Sequence, residues 1–416
     1  MLNPAAAYPD QIDTTDPTGY PYGRAKNSVT LEDGTGTPLE QQWVSDLFGS
    51  QQALLAAAEL TPSGTPDKVG ASQHLDAIKI VADARTKLAL QKSQALNWPE
   101  RGSFHNSGDY ASPNGVLDMA WAPDLGIGGG GRYVLIGPGN TAGCNTWSSE
   151  DCTQWDFGGL LSAAEPDNPC VAYGRINGTP GFLMTWASPI GYYSSINGTS
   201  WGSVSETVPA HGVACYSSSL NMWVIAGDSG EIRTSLTALA GSWTARTTPA
   251  GWIAGCGGVK RVIFANGLFV ILPKGIYNKV LTSPNGITWT ERTLATGTWT
   301  GIAYSSTDQL WLAIGIGAGV YSSANGTSWN FVTSSLASMN DLACSGPVWV
   351  ATTNNGSFGG IAYSTNKGAN WSYVAVGNHR VATAGWTRIL GADGRFMVAH
   401  ATGAVCEVAL SARAMG

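Results

Sequence analysis

The sequence predicts an all-β fold: a seven-bladed β-propeller behind a small, partly helical N-terminal attachment region. Three observations predict it. One short phrase keeps returning: "SSANGTSW" from Ser322 to Trp329, "SSINGTSW" from Ser194 to Trp201, "SPNGITW" from Ser283 to Trp289, "STNKGANW" from Ser364 to Trp371, and a looser "SSEDCTQW" from Ser148 to Trp155. The tryptophans that close these phrases, together with Trp243 at the end of a degenerate copy, are spaced 46, 42, 46, 40 and 42 residues apart. The composition, with 54 Gly and 17 Trp among 416 residues and only 12% charged side chains, suits short strands and tight turns better than helices.

Residues 1–96 lack the phrase. "TTDPTGYPYGRAKNSVTLEDGTGTPLE" is rich in Gly, Pro and Thr and reads as an extended segment. Residues 40–60 carry Trp43, Leu47, Leu54 and Leu55 at roughly helical spacing, and "TPSG" ends that pattern. A second helix is expected from Thr65, a cap, with Pro66 at its first position and Asp67 favouring the helix dipole. Its apolar stripe is Leu75, Ile78, Val81, Ala82, Leu88 and Ala89. Two such helices cannot build a large core alone, so they are expected to meet another chain or copies of themselves.

Residues 97–416 carry the repeats. Asn-Gly between two strand-like runs signals a hairpin with a type I′ turn. Each phrase is prefaced by two more apolar strands, as in "GIAYSSTDQLWLAIGIGAGVY", which makes four strands per repeat of about 40 to 50 residues, the pattern of a propeller blade. The last repeat, "VATAGWTRILGADGRFMVAHATGAVCEVALS", supplies three strands and no closing tryptophan. The segment "ALNWPERGSF" around Trp98 is the expected fourth strand. It would close the ring and remove the exposed sheet edges. An open six-blade array is the rival reading.

Several function classes are excluded or disfavoured. The net charge of -6 offers no basic face for nucleic acid. No apolar run is long enough to span a membrane, and the first residues do not have the make-up of a secretory signal. The seven cysteines, Cys144, Cys152, Cys170, Cys215, Cys256, Cys344 and Cys406, match no metal-ligand spacing and read as small buried hydrophobes in a reducing compartment. Only Cys144 and Cys152 are close enough in sequence for a local bridge. "GIGGGGRYVLIGPGN" is glycine-rich but leads into no helix, so it reads as loop and strand rather than a phosphate cradle. The Asn-Gly-Thr triplets at Asn177, Asn197 and Asn325 are read as turns, not glycosylation sites. No cofactor and no metal is expected.

"STNKGANW" resembles the Asp-box of sialidase-type BNR repeats, Ser-x-Asp-x-Gly-x-Thr-Trp. Ser364, Asn366, Gly368 and Trp371 stand in its places, with Asn for Asp; the other copies are shorter by a residue. The resemblance implies a structural turn on the propeller rim, away from any active site. The segment from Asp16 to Ile78 resembles the N-terminal segment of bacteriophage tail-fibre and related virion proteins. That resemblance implies docking on other phage tail proteins through residues 1–96, a homo-oligomer such as a trimer, and a place in the virion, made in the bacterial cytoplasm.

No catalytic constellation is legible. The eleven arginines from Arg101 to Arg413 sit in no repeated setting that would assign a carboxylate-binding triad. Asp118, Asp228, Asp308 and Asp341 are the carboxylates to weigh for two-carboxylate glycoside hydrolysis, and the sequence does not bring them together. A binding face is easier to read. Aligning the first strand of each repeat on a small residue (Ala120, Ala172, Cys215, Gly255, Ala303, Ala343, Ala384) places Asp118, Asn168, His211, Trp252, Trp299, Asn340 and Arg380 around the channel mouth. Aromatic faces and polar groups together suit a sugar. The bland alternative is that Trp252 and Trp299 pack between blades. The sequence therefore predicts a tail protein whose propeller recognises a host-surface glycan. A propeller glycosidase or lyase and a structural spacer are the competing readings.

Overall fold

The computed structural model describes residues 12–13, 15, 24–25, 50, 53–60, 72–81, 100–104, 116–126, 130–138, 144–152, 155–161, 169–186, 191–210, 212–252, 258–334, 339–353, 361–374, 386–392, 394–400 and 406–410. The chain divides into two compact units, Met1–Leu88 and Ala89–Gly416.

In the first unit, Ile12–Asp13 pairs antiparallel with Arg24–Ala25. Residues 53–57 and 73–81 are helical. The cap expected at Thr65 lies outside the described residues; Ser72 Oγ accepts the Leu75 N–H and caps the helix at 73–81. Ala77 is buried, whereas Leu75 and Ile78 of the predicted stripe are exposed.

In the second unit the described residues form antiparallel sheets. Four take consecutive strands: Asp118–Ala122 through Asp156–Leu161, Cys170–Ile176 through Gly202–Ser205, Val213–Ser217 through Thr244–Arg246, and Met339–Ser345 through Ser372–Val374. A seven-stranded sheet runs from Val259–Ala265 to Asn330–Thr333. Its middle strand, Thr290–Ser305, pairs by its first half with Ile276–Ser283 and by its second with Leu310–Ile316, so it ends one four-stranded unit and begins the next. The last sheet takes Trp386–Ala392, Arg395–His400 and Cys406–Leu410, and beside the last of these lies Glu100–Phe104, with Glu100 opposite Leu410 and Phe104 opposite Cys406. Trp98 itself lies outside the described residues.

The second strand of each unit carries the core. Met222–Ala226 and Val348–Thr353 are buried along their whole length, because a sheet lies on either side. Outer strands such as Gly202–Ser205 are mostly exposed. One aromatic position repeats on the second strands: Tyr133, Phe182, Trp223, Phe269, Trp311, Trp349 and Phe396, all buried. Five of them face a first-strand aromatic directly across the ladder (Trp121, Tyr173, Tyr216, Phe264 and Tyr304), with ring centroids 4.6 to 6.4 Å apart. Such pairs add to the area they bury.

The recurring phrase is architecture, but its turn differs from the expected type I′ hairpin. That hairpin needs two consecutive positive φ angles. Asn177–Gly178 and Asn266–Gly267 have them, at 47° and 82° and at 49° and 71°, and they make the two-residue turns. In "SSANGTSW" only Gly326 is left-handed, and the loop is longer. Ser323 is buried, its Oγ donates to Asn325 Oδ1 at 3.1 Å, and it accepts the Gly326 N–H at 2.8 Å. Asn325 Oδ1 in turn accepts from the N–H groups of Thr327 and Ser328, both at 2.9 Å. Ser195 with Asn197, and Ser364 with Asn366, repeat the device. The Asn side chain does work that the sequence reading gave to its backbone. Gly326 has a φ of 72°, and a Cβ there would lie 2.8 Å from Leu268 Cδ2 of the preceding unit.

The five described cysteines are free, so Cys144 and Cys152 are not bridged. They belong to different core clusters, and Cys152 Sγ rests 3.6 Å from Met397 Sδ. Burial pushes the thiols of Cys144, Cys215 and Cys344 up to about 12, which makes them inert.

Candidate functional site

The first strands lie side by side. Asp118–Ala122 contacts Cys170–Ile176, then follow Val213–Ser217, Val259–Ala265, Thr290–Ser305, Met339–Ser345 and Trp386–Ala392, and the last of these also contacts Asp118–Ala122. Four of them begin with a register shift at the same place: between Val259 and Arg261, Trp299 and Gly301, Met339 and Asp341, and Trp386 and Arg388. A bulge re-aims the residue that follows it. Ladder partners make Arg261, Gly301, Asp341 and Arg388 equivalent, and Asp118, Cys170 and Val213 occupy the same position in the unbulged strands.

Carboxylates at or near this position stitch neighbouring strands. Asp118 Oδ2 accepts the Val171 N–H at 3.0 Å, Asp228 Oδ1 that of Val259 at 3.2 Å, and Asp341 Oδ2 that of Ile389 at 3.3 Å. Asp341 is fully buried, and both its oxygens accept from Arg261 Nη2, at 3.0 and 2.8 Å. Arg261 reaches it past the strand that carries Gly301. A Cβ at Gly301 would come 2.7 Å from Leu342 N, so only glycine lets that strand lie so close to Met339–Ser345. Asp341 holds the Arg261 guanidinium even more firmly protonated than usual.

A cavity of about 380 Å³ opens among these strands. Lys260, Arg261, Lys274 and Arg388 line it, against Asp118 and Asp228. Lys260 is the residue within the Val259/Arg261 bulge, and among the described residues it has no hydrogen-bond or ion-pair partner. Burial first, and then the charge of Arg388, lower its amine to about 8. Among the described residues, Arg388 donates only to carbonyls: Nε to Leu117 O at 2.6 Å and Nη1 to Thr387 O at 3.3 Å.

Of the predicted channel-mouth residues, Asp118 lines this cavity, while Trp252, Trp299 and Asn340 are not among its lining residues. Trp252 is buried with Phe269, Ile271 and Trp289, edge-on to Tyr277. Trp299 is completely buried and donates its indole N–H to Tyr277 O at 3.1 Å. Asn340 is half-buried on its strand. Asn168, His211 and Arg380 lie outside the described residues. Sequence reasoning missed Lys260, Arg261 and Arg388 because two repeats slipped in the alignment. Ile263 and Leu390, not Gly255 and Ala384, match Ala303 in the ladders. The Asn-Gly hairpin at Asn266 and Gly267 was the available signal, since it fixes where the Val259–Ala265 strand ends.

Among the weighed carboxylates, Asp308 accepts the Trp349 indole N–H at 2.9 Å and Asp341 is tied to Arg261. Among the described residues, no cluster of His, Cys, Asp and Glu is arranged to hold a metal ion.

No protein-family model matches the chain. No curated protein matches it either. Solved structures do. YCF48 bound to D1 peptide superposes with a TM-score of 0.54 at 15% identity, covering 76% of this chain and 98% of that one. A catalytically inactive virginiamycin B lyase from Staphylococcus aureus with quinupristin gives 0.57 at 9% identity, covering 75% and 99%. A streptogramin B lyase gives 0.55 at 13% identity, covering 76% and 98%. At these identities the likeness shows the fold alone: the chain is built as a β-propeller.

Proposed function

We propose that the chain is a ligand-binding β-propeller of seven blades that serves a bacteriophage tail, in the virion, by recognising a host-surface glycan. The observation that carries the binding site is the cavity among the first strands, where Lys260 and Arg388 face it without a carboxylate partner among the described residues. Seven blades are supported by the seven equivalent first-strand positions, by the matching aromatics of the second strands, and by the place of Glu100–Phe104 beside Cys406–Leu410. The tail role is supported by the phrase order between Asp16 and Ile78. On this reading residues 1–96 dock on other tail proteins and assemble the chain as a homo-oligomer, and residues 97–416 face outward.

Binding is favoured over catalysis because the carboxylates at the first strands are occupied with backbone N–H groups and Arg261. A second reading, a peptide-binding surface, draws on the structural neighbour described as bound to a peptide. Fluorescently labelled full-length protein, incubated with a panel of bacterial strains, tests the proposal. Stable attachment to particular strains is the expected result. Attachment followed by release of soluble sugar would replace it with a depolymerase. Absence of attachment to every strain that the parent phage infects would overturn receptor recognition.

A further inference from the structure

We infer that the first-strand cavity takes a carboxylate, borne by an acidic sugar and seated against Lys260 and Arg388; this rests on reading the cavity as the ligand site. Lys260 and Arg388 line the same partly buried space, and Lys260 lies in the field of Arg388. Like charges held together in a poorly hydrated site are unfavourable unless an anion compensates them. Asp341 does not fill that need, because both its oxygens already accept from Arg261. Arg388 is steered by the carbonyls of Leu117 and Thr387, neither of which carries a charge to offset its own.

The balance of charge sets the class of anion. Four basic side chains line the cavity, two acidic ones line it, and Asp341 neutralises Arg261 from behind. One positive charge is left over, which matches a monoanion such as a carboxylate better than a phosphate dianion. The groups that face the Lys260 amine are Arg388, Asp341, Arg261 and Asp118. An arriving carboxylate adds one favourable neighbour, so binding draws a proton onto Lys260 and grows weaker as the amine loses its charge. The size and mixed lining, with Trp121, Tyr173 and Tyr216 beside the charges, suit a sugar ring that carries the carboxylate.

Calorimetric titration of the full-length protein with glucuronate, glucose, inorganic phosphate and a short peptide with a free C-terminus tests the inference. Glucuronate should bind and glucose should not. Glucuronate binding should be about tenfold weaker at pH 9 than at pH 7, as a lysine of this acidity loses its proton. Its heat should vary with the buffer, which reports proton uptake. Lys260→Gln should weaken it by about ten- to a hundredfold, abolish the buffer dependence, and leave the thermal midpoint no lower than that of the parent. Tighter binding of the peptide or phosphate would overturn the acidic-sugar assignment. Failure of glucuronate to bind a protein that still attaches to cells would overturn this inference and spare the receptor-binding reading. Failure of both would overturn the two together.

Discussion

At the residue scale, small polar side chains and one glycine do work that a composition count hides. Ser323 Oγ and Asn325 Oδ1 satisfy the N–H groups of Gly326, Thr327 and Ser328. Ser323→Ala should cost about 1 to 2 kcal/mol by stranding part of that network, read as a shift in the denaturation midpoint. Gly326→Ala meets both a left-handed φ and Leu268, and should cost about 1 to 3 kcal/mol. Asp341 is the most exacting position. Asp341→Ala leaves the Arg261 guanidinium without its partner in a largely buried site and should cost about 3 to 5 kcal/mol. Asp341→Ala paired with Arg261→Met should recover much of that loss, because no uncompensated charge then remains.

At the scale of elements, much of the strand order was legible, since apolar runs, Asn-Gly pairs and closing tryptophans punctuate the chain. The aromatic position of the second strand is visible in "LWLAIG" and in "MWVIAG". Charge placement was not legible in the same way. Side-chain direction depends on the bulge that opens a first strand, and a bulge leaves no composition signature. Separately, a repeat misaligned by eight residues, with Gly255 in the place of Ile263, sent Trp252 to the channel mouth and left Lys260 unnoticed. The bulge at Val259/Arg261 also sets the pH behaviour of the fold. Lys260 binds its proton less tightly in the folded chain than in the unfolded one, where the ordinary lysine value applies. Its penalty is thus full below about 8 and fades as pH rises toward 10.5. Lys260→Met should raise the denaturation midpoint at pH 7, with the gain shrinking by pH 10.

At the scale of the molecule, the pairing of Glu100–Phe104 with Cys406–Leu410 joins the two ends of the second unit. An unpaired Cys406–Leu410 edge would invite association with other chains. A chain beginning at residue 105 should unfold at a clearly lower temperature than one beginning at residue 89, and should aggregate sooner, as calorimetry and light scattering would show. The central claim is that recognition occurs at the first-strand cavity and not at the rim turns. The most direct measurement compares cell attachment by the full-length protein with attachment by Lys260→Gln and Arg388→Gln, and by the rim variant Thr327→Ala, at equal folded fractions. Recognition at the cavity predicts loss of attachment for the two cavity variants and parent-like attachment for the rim variant. Retained attachment by both cavity variants, with loss in the rim variant, would contradict it.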